Sequence, residues 1–341
     1  MRLLFSFLVL IIAVFILGAC SKKDTPIVNL APSNLSVTAS VGTDNSGNVS
    51  FIASATNAST YDYDFGNGIF QTVTSGIVTY KYPATGNYIV NVIAKNTAGQ
   101  TISKSISVAV TVAVSLIWSD EFDQPGAPNP AKWGYDVGAG GWGNAELQSY
   151  TSRIENAVVS NGTLKIIAIK ENYSGSSYTS ARLLTKEKFS FKYGKVEVKA
   201  KMPTGIGTWP AAWMLGSNIN TVSWPNCGEI DIVEHKGSDV NKIYGTLHYP
   251  GHFAGTADGA TKVISGATTE FHIYSCEWSA ASIKFYVDEV VYYSFANNNT
   301  LPFNQNFFVL LNLAMGGNFG GSVDAGFTNA TFEVDYVRVY Q

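Results

Sequence analysis

The sequence predicts an all-β protein made of two successive β-sandwiches. Three observations predict this class. After the N-terminal segment, no apolar pattern recurs at helical spacing over a useful length. Short alternating runs take its place: YIVNVIA (88–94), KSISVAV (104–110), YGKVEVKAKM (193–202), SIKFYV (282–287) and FEVDYVRVY (332–340), with Gly, Asn, Ser and Asp between them. All seven Trp lie at or beyond Trp118, so the 341 residues fall into a Trp-free part and a Trp-rich part.

Composition narrows the function. A hydrophobic content of 46% supports a sizeable core, and a charged content of 14% is low for an intracellular protein. A net charge of −3 offers nucleic acid no electrostatic footprint.

The N-terminus reads as a targeting segment. Arg2 leads an apolar run over 3–17, followed by small residues and Cys20. The run is short against the ~20 residues of a membrane-spanning helix. LGAC (17–20) resembles a bacterial lipobox. That resemblance implies a signal peptide over 1–19, cleavage before Cys20, a lipid on its thiol, and anchoring to a bacterial membrane, at the outer membrane or cell surface. Residues 20–30 would be a polar tether. Export would permit a disulfide between the remaining Cys227 and Cys276. Two cysteines in a large domain are more often separate buried residues, and that is the expectation.

Residues 31–114 are rich in Ser, Thr, Asn and Val. The stretches YDYDFGNG (61–68) and YKYPATGNYIVNVIAKNTAG (80–99) resemble the PKD domain, carried by the Asp-Phe-Gly turn and the Pro-x-x-Gly-x-Tyr strand entry. The resemblance implies a small immunoglobulin-like sandwich. Without Trp to stack on sugar faces, it is expected to act as a spacer.

The chemistry lies in residues 115–341. GEIDIVEH (228–235) sets Glu229, Asp231 and Glu234 in a run of Ile and Val that reads as a strand. Strict alternation puts Glu229 and Asp231 on one face and Glu234 on the other. Charged residues are rarely buried unless paired or functional, and three neighbouring acids repel one another. Calcium prefers flexible loops, so the strand reads as a functional site. A β-bulge near residues 232–233 would return Glu234 to the face of the other two acids. The span from Glu229 to Glu234 is then roughly 13 Å along the backbone. A retaining glycosidase holds its two carboxyl groups about 5–5.5 Å apart, which inward-leaning side chains can reach.

This strand resembles the signature of glycoside hydrolase family 16 in its bulged form. WSDEFD (118–123), GWGNAELQSYT (141–151), GTWPAAWML (207–215), YGTLHYPG (244–251) and LNLAMGGNFGG (311–321) extend the likeness in order over the second part. The set looks most like the laminarinase-type β-1,3-glucanases. It implies a β-jelly roll with a concave cleft and a β-glucan polysaccharide as partner. Glu229 would be the nucleophile, Glu234 the acid/base, and Asp231 the acid between them. Trp209 and Trp213 would stack on sugars; Asn144, Arg182 and His248 would be polar cleft residues. Glu121, the Gly162 carbonyl and Asp335 would hold a structural calcium away from the cleft, with no cofactor for catalysis. The pKa of Glu234 is expected to be raised by nearby negative charge. Trp278 is expected in the core, and the protein as a monomer. Ala145 stands where family members often carry Asn. A mixed-linkage β-1,3/1,4-glucanase, a galactan hydrolase and a non-catalytic glucan-binding lipoprotein remain alternative readings.

Overall fold

The computed structural model describes residues 29–341. The signal segment and Cys20 therefore lie outside the described residues. By contacts the chain divides between Thr111 and Val112 into two compact units.

The first unit holds two antiparallel sheets. One joins Ser33–Val41, Asn48–Thr56 and Ile77–Lys81; the other runs Phe70–Val73, Thr60–Asp64, Gly86–Lys95, Thr101–Val110. Val and aromatic side chains alternate inward, and Phe51, Tyr63, Phe65 and Tyr82 keep no exposed surface. The Asp-Phe-Gly turn is built by Asp64, whose Oδ1 accepts the Gly66 N–H at 2.9 Å. Gly66 has φ 78°, and a Cβ there would come 2.4 Å from the Ile89 carbonyl oxygen, so only glycine fits.

The second unit is a sandwich of two larger, mostly antiparallel sheets, the jelly roll. One is seven-stranded, in the order Asp258–Val263, Lys242–His248, Glu229–His235, Thr208–Gly216, Phe307–Met315, Arg182–Leu184, Gly134–Asp136. The other is ten-stranded, and Asn329–Tyr340 at its centre pairs with Thr163–Tyr173 and Gly194–Lys201. Apolar residues of both sheets, among them Val198, Ile230, Ile232, Val233, Leu311, Leu313, Phe332 and Val334, fill the space between them. Each such Ile or Leu stabilises the fold by about 1.5–3 kcal/mol relative to exposure. Alternation therefore sends every other residue of the seven-stranded sheet away from the core, and the site is built on that outer face.

Local expectations meet the structure in detail. SIKFYV and its successor form a hairpin in which Val287 pairs with Val290. Its turn residues, Asp288 and Glu289, take φ 47° and 66°, the primed geometry usually given to Asn-Gly. Trp278 is buried, its Nε1 donating to the Phe303 carbonyl at 2.9 Å. Cys227 and Cys276 are both free and buried. Burial pushes the Cys227 thiol up to about 11 and Cys276 in the same direction, which leaves both as unreactive packing groups.

Candidate active site

The phase of Glu234 is set by a bulge in Glu229–His235. Against Thr208–Gly216, Asp231 faces Trp213 and Val233 faces Ala212, so Ile232 has no partner. Against Lys242–His248, Asp231 faces Thr246 and Glu234 faces Tyr244, so two bulge residues oppose one. Ile232 and Val233 are consecutive, yet both are fully buried in the core between the sheets. Burying both apolar side chains shifts the alternation by one residue. Glu229, Asp231 and Glu234 thereby share the outer face, while His235 turns inward, fully buried, with its pKa pushed down by burial.

Glu234 is held from two sides. Trp209 Nε1 donates to its Oε1 at 3.0 Å, and Thr246 Oγ1 donates to its Oε2 at 3.0 Å. Asp231 is 3% exposed and Glu234 8%, low enough for desolvation to dominate their ionisation. All three acids are pushed above the ordinary carboxylate range. For Glu234 the leading cause is burial, opposed by the Trp209 and Thr246 bonds, rather than the neighbouring negative charge that the sequence suggested. For Glu229 and Asp231, burial again leads, and the charge of the adjacent acid comes second. The cluster therefore retains protons that exposed carboxylates would lose, as a general acid requires.

Of the other expected cleft residues, His248, Trp209, Trp213 and Arg182 gather around these acids. His248 lies opposite Glu229, its Nε2 3.7 Å from Glu229 Oε1 and 3.2 Å from Asp231 Oδ2. Arg182 stacks on Trp213, its guanidinium carbon 4.7 Å from the ring centroid, and on Trp142 at 5.1 Å; its Nε pairs with Asp136 at 3.0 Å. Trp209 does more than present a face, since its indole N–H is committed to Glu234. Asn144 Nδ2 donates to Glu146 Oε1 at 3.2 Å. Ala145 takes φ 57° in the same turn.

Several residues of the site were not singled out from the sequence. Asn312 Oδ1 accepts the Trp213 N–H at 2.8 Å, and its Nδ2 donates to Tyr150 OH at 3.0 Å. Tyr150 OH in turn donates to buried Glu146, which also accepts from Gln148 Nε2 at 2.6 Å. This chain ties Trp213 and Asn144 to one buried carboxylate. Its signals were present: Asn312 is the lone polar residue in FFVLLNLAM, and Glu146, Gln148 and Tyr150 alternate. On the Glu234 side, Phe319 packs on Trp209 and Tyr244, with Lys236 Nζ 4.1 Å above its ring. Trp224 and Phe253, both substantially exposed, pack beside His248.

Of the expected calcium positions, Asp335 lies on the strand Asn329–Tyr340 and Glu121 directly follows the strand Leu116–Asp120. Gly194–Lys201 occupies one edge of Asn329–Tyr340; on the other edge Val334 pairs with Leu164 and, further along, Val337 pairs with Asp120. Both carboxylates have cationic partners: Arg338 grips Glu121 through two nitrogens at 3.0 and 2.7 Å, and Lys199 Nζ lies 2.6 Å from Asp335.

Comparison with known proteins agrees with this geometry. Residues 145–338 match the family model described as glycosyl hydrolases family 16, and residues 24–112 match a PKD domain. A β-glucanase of Rhodothermus marinus is 46% identical over 242 residues, covering 66% of this chain and 85% of that protein. The crystal structure of the laminarinase from R. marinus superposes with a TM-score of 0.65 at 46% identity, covering 67% of this chain and 98% of that one. A variant of a Z. galactanivorans enzyme, in complex with laminaritriose and laminaritetraose, gives a TM-score of 0.63 at 44% identity over 67% of this chain and 99% of its own.

Proposed function

The chain belongs to glycosyl hydrolase family 16, and from that premise we propose that it is a retaining endo-β-1,3-glucanase acting on laminarin-like polysaccharide. The bulge at Ile232–Val233 carries this reading, because it puts three acids, buried Asp231 and Glu234 and half-buried Glu229, on one face of a strand. Glu229 attacks the anomeric carbon while Glu234, kept protonated by burial, gives its proton to the leaving oxygen. Glu234, now a base, activates water against the glycosyl-enzyme, and the β-configuration returns. Trp209 and Thr246 fix both oxygens of Glu234 throughout. Asp231, whose charge raises the pKa of Glu229 and whose own pKa is raised by the charge of Glu234, lets the cluster pass a proton without carrying three charges at once.

Reducing-sugar release from laminarin, lichenan, agarose and carrageenan tests the reading. Laminarin is expected to be cleaved fastest. Faster release from lichenan would favour the mixed-linkage enzyme, and from agarose or carrageenan the galactan hydrolase. No release from any would favour a glucan-binding protein. Binding alone gives no reason to bury three like-charged acids against their own repulsion, so the catalytic reading is preferred.

Three further assignments belong to the proposal. The PKD domain is a spacer between anchor and enzyme. Cys20 is lipidated and holds the mature protein at a membrane; Cys20→Ala should move it to the soluble fraction, and unchanged membrane fractionation would refute the anchor. Calcium binds Glu121, the Gly162 carbonyl and Asp335, an all-oxygen donor set suited to the ion, in exchange for the contacts of Arg338 and Lys199. Its contribution would be structural, clamping the strand after Trp118 to the C-terminal strand. Calcium at about 100 times its Kd should raise Tm by about 5–10 °C over EDTA-treated protein. An unchanged Tm after verified metal removal would dismiss the site.

A further inference from the structure

His248 ends the strand Lys242–His248, with Nε2 toward Asp231 and Glu229. Its other ring nitrogen, Nδ1, accepts the main-chain N–H of Ala254 at 3.1 Å. A ring nitrogen that accepts a hydrogen bond carries no proton, so the neutral imidazole keeps its proton on Nε2, facing the acids. Flipping the ring would set carbon atoms against both the Ala254 N–H and the carboxylates, so the two contacts select one orientation. A second proton on the ring would bring N–H against N–H at Ala254.

The segment that aims this amide is locally built. Ala254 takes φ 50°, and Thr256 Oγ1 bonds both the Phe253 N–H, at 3.3 Å, and the Phe253 carbonyl, at 2.9 Å. Trp224 packs on the His248 ring, centroids 5.8 Å apart. On the acid side, Asp231 Oδ2 is buried and has no fully formed hydrogen bond. His248 Nε2 lies 3.2 Å from it, off the ideal hydrogen-bond line. Catalytic hydrogen bonds of this kind tighten when substrate binds.

Glu229, Asp231 and His248 also place one ligand atom each within 4.8 Å of one another, close enough to hold a metal ion. The Ala254 contact opposes that use. A metal takes the Nε2 lone pair and leaves the proton on Nδ1, where ligating histidines give it to an acceptor. Here a donor stands at Nδ1.

We propose that His248 is a positioning residue, held as the Nε2–H tautomer by the Ala254 main-chain N–H, that presents this N–H to Asp231 and so orients the acids for displacement. It is then neither a metal ligand nor chiefly a sugar contact. The proposal rests on Glu229 and Glu234 being the reacting pair, with Asp231 between them.

Nitrogen-15 NMR of the full chain reads the tautomer directly, with His248 among four histidines identified by its loss in His248→Gln. A protonated Nε2 and bare Nδ1 are expected; the reverse overturns the proposal. With laminarin, His248→Leu should lose on the order of 10²-fold in kcat with little change in KM. His248→Gln, which keeps an N–H near the same reach, should recover most of it. A loss confined to KM, or a Gln variant as slow as Leu, overturns the donor role. Zn²⁺ alone should leave the His248 resonances unmoved, and stoichiometric Zn²⁺ binding lost in His248→Leu would make the cluster a metal site instead. Should the Leu variant fail to fold, the wild-type NMR and Zn²⁺ results still decide. If wild-type protein cleaves no glucan, the functional reading fails while the tautomer remains measurable.

Discussion

Glu229→Ala should abolish hydrolysis of laminarin, and Glu234→Ala should slow it by about 10²–10⁴-fold, the usual share of a general acid. The two losses should differ in kind. Without Glu229, no group on the strand can form the glycosyl-enzyme. Without Glu234, that intermediate can still form when the leaving group needs no proton, so an activated aryl glycoside should be spared. Azide, small enough for the space left by either truncation, should separate them further. It attacks the glycosyl-enzyme of Glu234→Ala to give a β-glycosyl azide, and replaces the nucleophile of Glu229→Ala to give the α-azide. Proton NMR of the first product of the wild type should show the β-anomer. Initial release of the α-anomer would overturn double displacement, and with it the reading of the bulge as a device that aims two carboxylates at one bond.

Asp231→Asn should lower kcat while raising stability at alkaline pH. Burial holds the three acids above the carboxylate range, with the Glu234 charge adding to the effect at Asp231. In the unfolded chain such groups titrate near 4. Above that pH the folded state binds more protons than the unfolded one, so stability falls as pH rises toward the folded pKa. Asparagine removes one such group. The gain should be absent below about pH 4, where both states are protonated, and should grow above it by about 3–5 °C in Tm per unit of pKa elevation. Calorimetry at pH 4 and pH 8 checks this. An equal gain at both pH values would assign it to packing. A loss at pH 8 would mean that the Asp231 charge is stabilising and the burial argument is wrong. A site that is more stable when disabled is expected where function requires buried like charges.

Much of the molecule was legible in the chain itself. Alternation of apolar and polar residues is a local property, and so are the Asp-Phe-Gly turn and the spacing of Glu229, Asp231 and Glu234. These determined the all-β class, the division into two units, and the three acids that the structure gathers on one face. Even the bulge was legible, since Glu234 stands out of phase with Glu229 and Asp231 unless one extra residue near 232–233 breaks the alternation.

What the tertiary structure alone decided depends on residues far apart in sequence. Which donors hold Glu234 follows from the register of three strands, which brings Trp209 and Thr246 to one carboxylate. Asn312 could be seen as an odd polar residue, but its place between Trp213 and Tyr150 is a matter of strand order. The raised pKa values come first from burial, which is a sum over both sheets, and the strand's own charges only add to it. The tautomer proposed for His248 follows from the main-chain N–H of Ala254, whose direction depends on backbone angles and not on its side chain. Local pattern names the groups; long-range register and burial determine what each one faces, and therefore which proton it holds.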